Sequence, residues 1–150
     1  MRIGIFGGSF NPIHNGHIAL AEQVVKAGLA DEVWLMVSPE NPLKERSNLL
    51  DKALRFSIAE KALKDVKGVK ASKFEFQLTR HYFTWQTLEA LQATYPNEKF
   101  SLIIGADNWL LFDRWAKAED LKKKYDIIIY PREGYMVKTE DLPLNVHLLN

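Results

Sequence analysis

Two histidines three residues apart, His14 and His17, stand directly behind a turn almost bare of side chains. The stretch from Gly4 to His17 reads GIFGGSFNPIHNGH and holds four glycines, two histidines and one proline. Gly7, Gly8 and Ser9 follow an apolar run, Ile3 to Phe6, that reads as a buried strand. Glycine allows positive φ and lets a ligand approach main-chain N–H groups closely. Past Pro12 the pattern turns helical, with its first turn near Asn15-Gly16-His17. Unpaired N–H groups and the helix dipole at such an end favour an anion. Two imidazoles there can donate hydrogen bonds to phosphate oxygens, charged beside phosphate and neutral without it, because imidazole titrates near ~6.5. A glycine pair alone would be only a tight turn, and paired histidines alone could bind metal. Zinc fits poorly, because the chain has no cysteine and no third ligand stands nearby. The dinucleotide fingerprint G-x-G-x-x-G does not occur after this strand, and a P-loop fails for want of any Gly-Lys pair.

The elements that must carry these residues alternate along the chain. Ile18, Ala21, Val25 and Leu29 recur at helical spacing, with Gly28 near the stop. Val33 to Val37 reads as a second strand, and Asp51 as the cap of a helix with an apolar stripe of Leu54, Ile58 and Ala62. Val69 to Phe76 reads as a weaker strand, Thr84 to Tyr95 as a helix stopped before Pro96, and Phe100 to Ile104 as a strongly apolar strand. A short helix from Asp107, another over Ala118 to Lys124, and strands at Asp126 to Tyr130 and Val146 to Leu149 complete the alternation. Strands separated by helices imply an open, mostly parallel α/β sheet with right-handed crossovers and helices on both faces. Ligands then bind beyond the carboxyl ends of the strands: after Phe6, Val37, Ile104 and Tyr130.

At 150 residues the chain matches the size of one domain, with 47% hydrophobic and 26% charged residues, enough apolar matter for one core. Twenty basic residues against nineteen acidic ones leave no global field for an extended polyanion, so nucleic acid is not an expected partner. No signal-peptide core and no apolar run of membrane-spanning length occur. Together with the absence of cysteine, this predicts a cytoplasmic setting without membrane partners. The sequence leaves a homo-oligomer open.

The string GGSFNPIHNGH resembles the signature of the H-x-G-H nucleotidyltransferase superfamily, here His14-Asn15-Gly16-His17. Within it the chain is most similar to the nicotinate-nucleotide adenylyltransferase family. The likeness continues through NPLK at 41–44, YFTWQTL at 82–88, IIGADN at 103–108, RW at 114–115 and YPREGY at 130–135. It implies a Rossmann-like nucleotidyltransferase fold over residues 1–150. It also implies adenylyl transfer from ATP to nicotinate mononucleotide with release of pyrophosphate, and Mg²⁺ held mainly by phosphates and water. His14, His17 and Lys44 are then the catalytic cations and donors, with Gly7, Gly8, Ser9 and Phe10 supplying main-chain contacts to ATP. Gly105 would let a base or ribose lie on the backbone, Asp107 would accept from a ribose hydroxyl or cap the next helix, and Arg132 would serve the adenine side. Trp115 would stack on the pyridine ring, with Thr84 and Tyr82 beside the nicotinate. Trp34, His81 and His147 are read as structural.

The chain departs from the family pattern at Ser9 and Asn11, which replace a threonine and an aspartate, and at Leu43, where many relatives carry histidine. A Ser-Ser-Thr-x-x-Arg segment expected after the last strand does not occur before Asn150, and the sequence is therefore read as a fragment. Two other readings stand beside this one: a nucleotidyltransferase with another acceptor, such as phosphopantetheine, and a nucleotide-binding domain without catalysis.

Overall fold

In the computed structural model, residues 1–39, 50–78 and 83–149 are described. Six strands form one sheet: β1 (Arg2–Gly8), β2 (Glu32–Val37), β3 (Val69–Ser72), β4 (Lys99–Gly105), β5 (Asp126–Tyr130) and β6 (Val146–Leu148). Their spatial order is β3-β2-β1-β4-β5-β6, and every pairing is parallel. The chain runs outward from β1 to β3, then returns to lay β4 against the other side of β1. The order therefore reverses between β1 and β4, and a crevice opens at their carboxyl ends.

The sheet is buried on both faces, as parallel strands require. Alternate residues serve two separate cores. On one face Ile3 and Ile5 of β1, Leu102 and Ile104 of β4, and Ile127 and Ile129 of β5 pack with Leu88 and Leu91 of α3 (Thr84–Thr94). Leu121 of α5 (Ala118–Lys124) joins that layer. On the other face Phe6, Leu35, Ile103 and Ile128 meet Ala21 and Val24 of α1 (Asn15–Lys26) and Ala59 of α2 (Lys52–Ala62). A short helix, α4 (Ala106–Leu110), starts directly from β4. Gly28 follows the end of α1 with φ +75, the left-handed position that glycine takes beyond a helix stop. Among the described residues no helix is long and apolar enough to cross a membrane.

Three local expectations are corrected. Asp51 stands at the N-cap of α2 but makes no side-chain capping bond. The inward face of α2 is Arg55 and Ala59, continued by Leu63, while Leu54 is 49% exposed and Ala62 lies outside. The stripe is thus rotated by one residue, because an arginine occupies an inward position. Last, the strand expected over Val69 to Phe76 ends at Ser72, whose hydroxyl takes the N–H of Phe74 at 3.2 Å. That local bond competes with the sheet ladder and starts a 3₁₀ turn over Phe74–Gln77.

The rotated face of α2 can be checked by urea unfolding. Leu63→Ala should cost about 2–5 kcal/mol, and Leu54→Ala should stay within about 0.5 kcal/mol. The opposite ranking would mean that α2 presents its other side.

Candidate active site

The glycine pair behaves differently from a positive-φ turn. Gly7 and Gly8 remain extended at the end of β1, and it is Phe10 that turns, with φ +45. A left-handed backbone is costly for a bulky residue, of order 1–3 kcal/mol. Burial offsets it: the Phe10 ring is 3% exposed and packs edge-on to Phe6 at 5.6 Å and to His17 at 4.9 Å. A Cβ placed on Gly7 would meet nothing within 4 Å, so at this point bare backbone faces open space. That space is a cavity of about 630 Å³, lined by Gly7, Ser9, His14, His17, Tyr130 and Arg132 among others. Its size suits a nucleotide-scale ligand.

His14 is the N-cap of α1, and the two imidazoles exchange bonds with the backbone. His14 Nδ1 accepts from the N–H of Gly16 at 3.1 Å, and His17 Nδ1 accepts from the N–H of His14 at 3.1 Å. This is a capping box in which histidines replace the usual hydroxyl and carboxamide. The N–H groups expected to await an anion at this helix end are therefore partly spent on the rings. What the rings offer instead is Nε2–H, since a neutral imidazole that accepts at Nδ1 carries its proton at Nε2. The rings stack at 3.6 Å with planes 22° apart, so the two donors sit side by side.

Burial among Phe6 and Phe10, and next the neighbouring His14, lower the His17 pKa from 6.5 to about 4. His17 is thus neutral at physiological pH in this state. The unfolded chain takes a proton that the fold refuses. The stability from His17 is therefore present above pH 6.5 and is lost as pH falls toward about 4.

The other expected residues divide between two places. Arg132 shares the first cavity. Thr84, the first residue of α3, and half-buried Trp115 line a separate cavity of about 270 Å³ with Phe83, Arg114 and Ala116. The Trp115 ring lies 4.9 Å from Phe112 at 37°, half-buried on the wall of that cavity. Gly105 and Asp107 do not line either cavity. Gly105 is itself the N-cap of α4, which corrects the capping alternative for Asp107. Its place is steric: a Cβ there would fall 2.6 Å from Asp107 Oδ1 and 3.0 Å from Tyr130 Cζ. Asp107 Oδ1 is buried and has no hydrogen-bond partner among the described residues. Lys44 and Tyr82 lie outside the described residues, as does His81. Trp34 packs against Phe100 at 5.9 Å and donates its indole N–H to Glu32 at 3.1 Å, a structural role as expected.

Arg55 was missed from sequence. It is 0% exposed, and its guanidinium binds four carbonyls around the glycine loop, those of Ser9, Ser38, Pro39 and Leu50. The signal was an arginine on the inward side of an otherwise helical stripe.

A cytidylyltransferase-like family model matches residues 5–145. A protein of Bacteroides thetaiotaomicron named "Probable nicotinate-nucleotide adenylyltransferase" is 46% identical over all of this chain and 74% of its own length. One of Bacteroides fragilis with the same name is 44% identical over 98% of this chain and 73% of its own. The chain belongs to the nicotinate-nucleotide adenylyltransferase family. A solved structure titled "Plasmodium falciparum nicotinic acid mononucleotide adenylyltransferase complexed with NaAD" superposes with a TM-score of 0.82 at 20% identity. It covers 99% of this chain and 74% of that one, and shows that the fold is shared. In this adenylyltransferase family member, then, the H-x-G-H element is the helix cap just described.

Two measurements follow from the cap. The His17 ring should titrate by NMR with a midpoint of about 4, as the Nε2–H tautomer above it; a midpoint near 6.5 would mean that the ring is solvated and uncapped. Gly105→Ala should lower stability by roughly 1–3 kcal/mol through overpacking against Tyr130, and an unchanged melting curve would contradict the contact.

Proposed function

We propose that the protein transfers the adenylyl group of ATP to the phosphate of nicotinate mononucleotide, forming nicotinate adenine dinucleotide and pyrophosphate in NAD biosynthesis. The observation that carries this reading is the stacked imidazole pair on the wall of a cavity floored by bare backbone. A phosphate monoester is largely dianionic at neutral pH, its second pKa being about 6, so the attacking oxygen needs no general base. That oxygen bonds to the α-phosphorus as the bond to the bridging oxygen of pyrophosphate breaks. Charge moves onto the leaving group, and fixed donors aimed at it lower the barrier. The Nε2–H groups of His14 and His17 fill this role, with main-chain contacts at Gly7, Gly8, Ser9 and Phe10. Lys44, by its place in NPLK, adds a point charge.

Arg132 supplies a second cation to the same cavity, on the adenine side. Buried polar atoms are normally paired, and a ribose hydroxyl is the partner assigned to Asp107 Oδ1, with Gly105 beside it. The smaller cavity takes the acceptor: Trp115 stacks on the pyridine ring, with Thr84 and Tyr82 beside its carboxylate. Mg²⁺ would arrive on the phosphates. The polar groups lining the first cavity are backbone, hydroxyl, imidazole, amide, phenol and guanidinium, so the ion would be held by phosphate and water. Residues 1–150 act as one nucleotidyltransferase domain in a cytoplasmic setting.

Pyrophosphate release with ATP, Mg²⁺ and nicotinate mononucleotide tests the reading, with phosphopantetheine as the rival acceptor. Release should require the mononucleotide; release only with phosphopantetheine, or with neither, would overturn it. His17→Ala should lower kcat, measured per folded molecule, by about 10²–10³, beyond the roughly 0.5–2 kcal/mol of stability lost with its cap bond. Trp115→Ala should raise KM for the mononucleotide more than KM for ATP, and equal losses would contradict stacking.

A further inference from the structure

Two buried polar side chains lie outside both cavities and meet at the exit of β2. Arg55 donates to the carbonyls of Ser9 and Ser38 at 2.7 Å each, of Leu50 at 2.8 Å and of Pro39 at 2.9 Å. Glu75, in the 3₁₀ turn after β3, is 7% exposed and accepts from Ser38 Oγ at 3.1 Å and from Thr87 Oγ1 at 2.7 Å. Ser38 serves both: its carbonyl binds Arg55 and its hydroxyl binds Glu75. Its N–H also donates to Gly8 O at 2.9 Å. Hydrogen bonds therefore run without a break from Ser9, on the first cavity, to Thr87. That residue lies one turn into α3, whose first residue, Thr84, lines the second cavity.

Stability alone is a weak reason for this arrangement. Burying a guanidinium or a carboxylate carries a desolvation cost, and apolar residues of similar volume often stabilise as well or better. What the two groups add is placement. The four carbonyls bonded by Arg55 lie outside the strands and helices, and the planar fork of arginine reaches them from one point. In-line transfer is sensitive to such placement, since a displacement of about 1 Å can cost about 10²-fold in rate.

We propose that Arg55 and Glu75 are positioning residues: joined through Ser38, they hold the phosphate loop and the amino end of α3 at one fixed spacing, so that the two substrates meet in line. The kinetic half of this rests on the adenylyltransferase reading; the structural half does not.

The test uses Arg55→Lys, which keeps the charge but not the fork, and Glu75→Gln, which keeps the shape but not both acceptor oxygens. Amide shift maps of the unliganded protein judge the connection. Glu75→Gln should move the Ser9 and Phe10 signals, and Arg55→Lys those of Thr84 and Thr87; changes confined to each residue's own partners would overturn it. In turnover, each folded variant should lose about 10- to 100-fold in kcat with smaller changes in both KM values. The double variant should lose no more than the worse single one, because both act through Ser38. Losses that multiply, or losses that merely track the unfolded fraction, would overturn the positioning role. A wild-type protein that releases no pyrophosphate would refute the functional reading instead, and the shift maps would still decide the relay.

Discussion

The exchange of hydrogen bonds between two imidazoles and the first turn of α1 governs this site. Each ring surrenders Nδ1 to a backbone N–H, and each is thereby left with its proton on Nε2. One arrangement ends the helix, selects the tautomer and stacks the two rings. Phe10 completes it. Its strained backbone swings the ring under His17, which both supports the imidazole and removes it from water. The low His17 pKa is thus a consequence of packing on an aromatic wall as well as of its neighbour His14.

The sheet supplies the frame. Because β1 and β4 are neighbours whose following segments leave in different directions, the loop after β1 has free space above it. Gly105, at the end of β4, faces Tyr130 of β5 across the ladder, and Tyr130 contributes to the first cavity's wall. The ends of β1 and β5 therefore line one cavity although they lie far apart in the chain, and the end of β4 packs against Tyr130. The second cavity is built from the start of α3 and the segment before α5, both packed on a single core layer.

Much of this was legible in the residues. Apolar runs located the strands because a parallel sheet buries both faces, and glycine with proline marked where helices stop. The glycine-rich composition and the histidine spacing marked the helix start at which the first cavity opens. Three things were hidden, each for a physical reason. A helical stripe is read by hydrophobicity, which passes over Arg55, whose charge is dispersed over four carbonyls within. Glu75 sat in a stretch resembling a strand, and only tertiary partners reveal why the chain turns there. The capping use of the imidazoles also escaped, because it depends on which ring nitrogen meets the backbone, and spacing alone does not specify that.

The side-chain-free stretch at Gly7 has an evolutionary corollary. A molecule resting on that floor touches atoms common to every amino acid, while the side chains of His14, His17, Tyr130 and Arg132 line the rest of the space. Any replacement at Gly7 can only add bulk to the space where an occupant would lie. A compound anchored on this backbone alone would make no side-chain contact at Gly7 for a mutation to trim.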